Sequence, residues 1–200
     1  MAWTTPRTWS DNEVVTAAIM NTVRDNLTDL DSRIGSNVTH KAYAATLLNA
    51  SNTASEVTVV TATVADAVAD GDLLAVDMVY TLLQNTGGND TLRMDFLYGG
   101  VEATIFPTAT AIASDASTTY SAMRILCGRE GSDAYVGIVT GGSSNAFGGA
   151  TRGLADGFGA TLSSPTFTAS QTLSVKVTLG TASANYVFSP KYAMVSYLGA

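Results

Sequence analysis

The sequence predicts a mainly β protein with an N-terminal arm and one α-helix over residues 1–40 and a β-domain over residues 41–200. Two observations lead to this fold class. Helix signals are concentrated before residue 40. From Ala42 onward the chain is a series of short runs rich in β-branched and aromatic residues, separated by Gly-, Asn- and Asp-rich connectors. About eight such strands indicate a sandwich or a barrel.

The N-terminal segment has the pattern of an extended arm followed by a helix. The arm carries two tryptophans and Pro6, which disfavours a helical backbone before it. Ser10 and Glu13 have the spacing of a capping box, and the helix is predicted from about Ala17 to Ile34, with Gly35 as its stop. Its apolar residues form one narrow stripe with a/d spacing. The residues predicted to contact a partner are Trp3, Trp9, Met20, Val23, Leu27, Leu30 and Ile34.

So short a helix is marginal in water on its own, so its stripe needs a covering surface. Copies of the same helix, the β-domain of the same chain and a partner protein all remain open at this point. The narrowness of the stripe favours a helical seam.

Eight strands are predicted in the β-domain. They are Glu56–Thr63, Leu73–Leu83, Thr91–Tyr98, Val101–Phe106, Thr118–Cys127, Ala134–Thr140, Leu173–Leu179 and Lys191–Leu198. The clearest alternation is in Leu173–Leu179, which should bury its leucines and valines on one face and expose Lys176 on the other. Asp77 interrupts an apolar run and is expected to face solvent or a subunit interface.

The connectors between these strands contain turn-forming residues. Asn85–Asp90 and the tighter Tyr98–Val101 are both predicted to be hairpins. The Gly- and Ser-rich segment Gly141–Ser164 is predicted to be a long loop, and loops of this length are usually functional or flexible.

The composition limits the possible partners. Only 14% of residues are charged, against about 25% in typical soluble domains, which suggests a surface largely covered by other subunits. The net charge of −7 and the scattered ten basic residues argue against nucleic-acid binding. Neither a secretory signal nor a membrane-spanning segment is expected. Cys127, the only cysteine, is expected to be a buried inert thiol.

The residues suited to catalysis do not form a recognisable set. His40 is the only histidine and falls in a predicted linker, so a serine triad is disfavoured, and a zinc site built on several His or Cys ligands is excluded by the counts. Asp66, Asp70 and Asp72 do not follow the EF-hand pattern and are expected in a solvated turn. The glycine clusters lack the Gly-Lys-Ser/Thr ending of a phosphate loop.

Glu130, Asp133 and Asp156 flank loops, and paired acids for glycoside hydrolysis stay open because the sequence does not show pairing in space, although nothing in the spacing favours them. Otherwise we expect no enzymatic activity, no cofactor and no metal.

One N-terminal motif resembles a known family. The run from Trp9 to Ala17, followed by Met20-Asn21 and by Val23 to Leu27 with its Arg-Asp-Asn-Leu, resembles a motif of tailed-bacteriophage virion structural proteins. Asn12 stands where that family commonly has Gly, and Asn also tolerates a left-handed backbone. The motif covers about a sixth of the chain.

The β-domain resembles, more weakly, the jelly-roll modules of phage head fibres, capsid decoration proteins and some tail fibres. The matching features are Gly71–Leu74, the Gly87-Gly88 connector with Thr91–Arg93, and Tyr192–Val195. The resemblance implies a jelly-roll-like antiparallel sandwich, a homotrimer and a binding role without cofactor. Its leading implication is a capsid decoration (cement) protein on the virion surface that grips the major capsid protein. A head or tail fibre module that binds a host receptor is the alternative. A depolymerising glycosidase is disfavoured because no internal repeat is present.

Overall fold

Short and long β-strands make up nearly all of the regular structure. The computed structural model describes Asn21 and residues 39–106, 111–112, 114–142 and 159–199. Within these residues the strands are β1 Thr39–Tyr43, β2 Thr46–Leu47, β3 Ala50–Ser51, β4 Val57–Val64, β5 Leu73–Gln84, β6 Asp90–Tyr98, β7 Val101–Phe106, β8 Ala111–Ile112, β9 Asp115–Glu130, β10 Asp133–Gly142, β11 Gly159–Leu162, β12 Gln171–Leu179 and β13 Tyr186–Gly199.

The strands form two antiparallel sheets. The seven-stranded sheet has the order β1-β13-β5-β9-β10-β11, with β3 also paired to β13. The six-stranded sheet has the order β2-β4-β12-β6-β7, with β8 also paired to β6. The chain passes repeatedly between the sheets, since β3, β5, β9 and β13 lie in the first and β4, β6, β7 and β12 in the second. The predicted class, a mainly β antiparallel sandwich, is confirmed.

The core lies between the inner faces of the two sheets. Along β12 the residues Leu173, Val175, Val177 and Leu179 are all buried, as their alternation predicted. Tyr80 of the seven-stranded sheet stacks on Phe188 with their ring centroids 4.7 Å apart. Because alternate side chains of each strand enter this core, the remaining ones form two outer faces, one per sheet.

The eight predicted strands are confirmed as β4, β5, β6, β7, β9, β10, β12 and β13, with ends shifted by a few residues. The turn at Gly99 and Gly100 joins β6 to its antiparallel neighbour β7, as predicted. Gly99 has a φ of +57°, and a Cβ atom there would lie 2.3 Å from the carbonyl oxygen of Thr166. Only glycine fits this turn without moving the backbone.

Three local predictions are wrong. Asn85–Asp90 is not a hairpin, because β5 and β6 lie in different sheets and this connector crosses between them. His40 lies in strand β1 rather than in a linker. The predicted loop Gly141–Ser164 contains β11, which pairs with β10 along its backbone despite a composition poor in β-branched residues.

No helix among the described residues is long and apolar enough to cross a membrane. The predicted helix Ala17–Ile34 lies outside the described residues apart from Asn21.

Candidate interaction surface

The attachment residues predicted from the sequence lie outside the described part of the chain. They are Trp3, Trp9, Met20, Val23, Leu27, Leu30 and Ile34. Their role in partner binding stays a prediction. The described residues contain a second candidate surface, which sequence reasoning did not single out.

This surface lies on the outer face of the seven-stranded sheet. Among the described residues, six large hydrophobic side chains are exposed, and five of them project from this face. Those five are Val79 (40% exposed), Tyr120 (72%), Tyr135 (51%), Val139 (41%) and Tyr192 (55%). The sixth is Leu48 (59%), which follows β2 in the other sheet. The exposed large hydrophobic side chains of the described residues are therefore concentrated on one sheet face.

The strand register places most of these side chains side by side. Tyr192 pairs with Val79, and Val79 pairs with Ala122 on the next strand, so the three form one row across β13, β5 and β9. Tyr120 lies in the row on one side. Val139 lies in the row on the other side. We call Val79, Tyr120, Ala122, Val139, Tyr192 and the half-buried Met194 the apolar patch.

One ion pair lies inside the apolar patch. The Arg124 guanidinium donates from Nε to Asp77 Oδ1 at 2.6 Å and from Nη2 to Oδ2 at 2.9 Å. The two residues are directly opposite each other on β9 and β5, and they share a row with Met194 and Val139. The carboxylate raises the pKa of Arg124 through this hydrogen bond. The prediction that Asp77 faces outward from an apolar strand is confirmed.

The outer face of the six-stranded sheet is different, because it carries a network of charges. Lys176 of β12 donates from Nζ to Glu56 Oε1 at 2.9 Å and also to Glu102 Oε2. The hydrogen bonds to Glu102 and then Glu56 raise the pKa of Lys176. Lys176 lies on the outer face as predicted, but the two carboxylates leave its side chain only 18% exposed.

Asp95 of β6 is the buried member of this network. Its side chain is fully buried although it lies on an outer face. Its Oδ1 accepts hydrogen bonds from Arg93 Nε at 2.9 Å, Arg93 Nη2 at 2.7 Å and Thr104 Oγ1 at 2.6 Å. Its Oδ2 has no hydrogen-bond partner among the described residues. Three donors on one oxygen fix the carboxylate between β6 and β7.

The carboxylates of this network are close enough to be considered as metal ligands. One oxygen each of Glu56, Asp95 and Glu102 lies within 4.8 Å of the others. The ammonium group of Lys176 already bonds two of the three carboxylates, and Arg93 bonds the third. Two cationic side chains thus supply the positive charge that a bound ion would supply, and the network acts as a structural tie between strands.

Of the three aspartates of the β4–β5 connector, Asp70 is exposed in a turn as predicted, whereas Asp66 and Asp72 are held by hydrogen bonds. Asp72 is buried and accepts hydrogen bonds at its Oδ2 from the Tyr197 hydroxyl and from the Ala69 amide, both at 2.6 Å. Asp66 accepts from Lys41 Nζ at 2.5 Å and from the Tyr43 hydroxyl at 2.6 Å, and these bonds lower the pKa of its carboxyl. The solvated turn predicted here is therefore wrong for Asp72, because a tyrosine of β13 covers it.

The isolated reactive residues are not assembled into a catalytic arrangement in the described part of the chain. His40 is exposed on β1. Cys127 is buried on the inner face of β9, as predicted, and burial raises the pKa of its thiol to about 12. A thiol with so high a pKa is almost wholly protonated at neutral pH, so it is a poor nucleophile.

We expect the Cys127 thiol to react with a disulfide reagent at least about 100-fold more slowly in the native protein than in urea. The reason is that burial keeps the thiol protonated and shielded from the reagent in the folded state. The rate is measured from the absorbance of the coloured thiolate that an aromatic disulfide reagent releases, and the urea-unfolded chain is the control. Comparable rates in the two states would show that Cys127 is accessible and would contradict its assignment as an inert core residue.

Comparison with known proteins identifies neither a family nor a function for this chain. No protein-family model and no curated protein matches this chain. Among solved structures, the chain is similar to that of peanut lectin with a 9mer peptide (PVIWSSATG), at 8% sequence identity and a TM-score of 0.38, covering 82% of this chain and 93% of the lectin chain. A likeness at this level carries no argument about function.

Proposed function

We propose that this chain is a tailed-bacteriophage virion structural protein, a capsid decoration protein that binds the major capsid protein as a trimer. The structural observation that carries an assembly role is the apolar patch, because soluble monomers rarely leave large side chains clustered on one sheet face. The phage assignment depends on the N-terminal motif from Trp9 to Leu27.

We further propose that the sandwich is a jelly roll. What supports this is the strand order, in which β3-β13-β5-β9 and β4-β12-β6-β7 are the two four-stranded halves and the chain alternates between them. Double-sheet jelly rolls of eight strands occur in viral capsid and lectin domains. On this assignment β10 and β11 extend the first sheet beyond β9.

In this proposal the N-terminal segment and the β-domain have different roles. The arm and the helix grip the capsid, with Trp3 and Trp9 as aromatic anchors of the kind that dominate interface energetics. The β-domain supplies the contacts between subunits. Neither nucleic acid nor membrane is a partner, and the protein is located on the outer capsid surface.

We expect Trp9→Ala and Leu30→Asp each to reduce binding to virions at least about tenfold, since each removes or charges an apolar anchor worth about 1–3 kcal/mol. Co-sedimentation of full-length variants with particles lacking this subunit measures binding. Leu48→Asp, which adds the same charge at an exposed leucine of the β-domain, is the matched control. Wild-type binding by both test variants would show that the attachment site lies elsewhere.

A label on the protein in purified virions distinguishes decoration from a tail-fibre role. Label spread over the head is the expected result. Label confined to the tail tip would replace decoration by the receptor-binding alternative.

A further inference from the structure

The charges on the outer face of the six-stranded sheet do not balance. Three carboxylates meet there, and one oxygen each of Glu56, Asp95 and Glu102 lies within 4.8 Å of the others. Among the described residues, only the cationic side chains of Lys176 and Arg93 bond them. With these groups ionised, three negative charges stand against two positive ones, so the network keeps one negative charge.

One oxygen of this network also lacks a partner. The Asp95 side chain is fully buried, and its Oδ1 already accepts three hydrogen bonds. Its Oδ2 is buried too and has no hydrogen-bond partner among the described residues. Such an oxygen costs free energy, because it has lost its hydration without a replacement. A cation at this oxygen supplies both the missing partner and the missing charge.

A divalent cation meets both needs when it replaces the Lys176 ammonium group. The ammonium brings one positive charge and a divalent ion brings two, so the exchange makes the network neutral. Lys176 lies opposite Asp95 on the neighbouring strand β12. A lysine ammonium group is carried on a flexible four-carbon stem, so it can turn into solvent while the backbone stays in the sheet.

The spacing of the carboxylates fits Ca²⁺. Ca²⁺ binds oxygen at about 2.3–2.6 Å, so two of its ligands can lie about 5 Å apart, whereas Mg²⁺ binds at about 2.0–2.1 Å and needs its ligands within about 4 Å. The 4.8 Å limit within which the three oxygens lie falls inside the Ca²⁺ range and outside the Mg²⁺ range. Glu56 and Glu102 are 37% and 29% exposed, so water can fill the remaining coordination positions.

We propose that Glu56, Asp95 and Glu102 form a Ca²⁺ site, which the ion enters by displacing the Lys176 ammonium group. The ligands lie on β6, on β7 and directly before β4, so the bound ion takes over the tie that Lys176 provides without it. Because the ion competes with an ammonium group of the same chain, we expect a dissociation constant of about 0.1–1 mM, the weak end of the range for protein Ca²⁺ sites. The site does not depend on the proposed function, since all its residues belong to the six-stranded side of the sandwich.

The test is calorimetric titration of the full-length chain with calcium chloride at constant ionic strength. Lys176→Met keeps the apolar stem and removes the competing charge, so we expect it to bind Ca²⁺ at least about tenfold more tightly than wild type. Glu102→Gln removes one ligand charge and is expected to bind at least about tenfold more weakly. Arg124→Met is the matched control, because it frees the carboxylate of Asp77 outside the group of three and should bind Ca²⁺ as wild type does.

Urea unfolding gives a second measurement. Without Ca²⁺, Lys176→Met leaves Glu56 and Glu102 without their cation, so its unfolding midpoint is expected to lie below that of wild type. Calcium chloride should raise this midpoint, because the ion binds the native state only, and sodium chloride at the same ionic strength should not. The Arg124→Met midpoint should respond to calcium chloride no more than that of wild type.

Two results would overturn the proposal. The first is a wild-type chain that takes up no Ca²⁺ at concentrations up to about ten times the upper end of the expected range. The second is a folded Lys176→Met variant that binds Ca²⁺ no more tightly than Arg124→Met does. If Lys176→Met does not fold, wild-type affinity in Glu102→Gln overturns the proposal instead. None of these measurements involves virions, so a failure of capsid decoration leaves the Ca²⁺ site intact.

Discussion

Replacing Asp95 by Ala is expected to lower the free energy of unfolding by about 2–3 kcal/mol. The substitution removes the acceptor of three hydrogen bonds, two from Arg93 and one from Thr104. The Asp95 carboxylate is fully buried, so water does not replace these bonds in the native state. The loss stays below the about 3–5 kcal/mol typical of breaking a buried ion pair because the Arg93 side chain is 40% exposed and water can reach it.

Asp77→Ala is the matched control. It removes a carboxylate that likewise accepts two hydrogen bonds from one arginine, but Arg124 and Asp77 are 56% and 27% exposed. Exposed pairs contribute about 1 kcal/mol or less. Urea unfolding monitored by circular dichroism measures both variants, at several protein concentrations so that any subunit contribution is separated. If Asp77→Ala lowered the free energy of unfolding as much as Asp95→Ala does, burial would not determine how much these ion pairs stabilise the fold.

The strands of the β-domain could be predicted because their composition is local information. Runs such as Leu173–Leu179 alternate in hydrophobicity, and that alternation also predicted which residues enter the core. The crossing at Asn85–Asp90 could not be predicted in the same way. Turn-forming residues show that the chain reverses or bends there, but they do not show whether the flanking strands pair with each other or join different sheets.

The candidate surface could not be predicted from the sequence for a related reason. Val79 and Tyr80 are neighbours in one apolar run, and only the register decides that Tyr80 enters the core while Val79 faces outward beside Tyr192. Asp77 was the one residue of that face whose outward orientation the sequence predicted. Conversely, the buried state of Asp72 depends on Tyr197, which lies 125 positions away along the chain.

Raising the pH above about 10 is expected to destabilise the fold steeply, because buried phenols must ionise. Burial raises the pKa of Tyr98 to about 12, and its hydroxyl has no hydrogen-bond partner among the described residues. The hydrogen bond to Asp72, followed by burial, raises the pKa of Tyr197 to about 12. Burial also raises the pKa of Tyr80 and Tyr186.

The direction of the effect follows from the raised pKa values. A phenol whose folded pKa exceeds the ordinary 10.0 is protonated more strongly in the native state, so its contribution is complete below pH 10 and is lost as the pH rises towards 12. A rise in pKa from 10.0 to about 12 corresponds to about 2–3 kcal/mol for each of Tyr98 and Tyr197. Together they amount to a large fraction of the about 5–15 kcal/mol that stabilises a typical domain.

Tyr197→Phe isolates one of these contributions. The variant is expected to lose about 1–2 kcal/mol near neutral pH, since the hydrogen bond to the Asp72 carboxylate disappears. Its stability should then fall less steeply than that of wild type between about pH 10 and 12. Tyr120→Phe, at an exposed phenol, controls for the chemical change itself. Urea unfolding across this pH range measures the slopes. Parallel slopes for wild type and Tyr197→Phe would show that the Tyr197 phenol is not held protonated by Asp72, and that the alkaline loss arises from the other buried tyrosines.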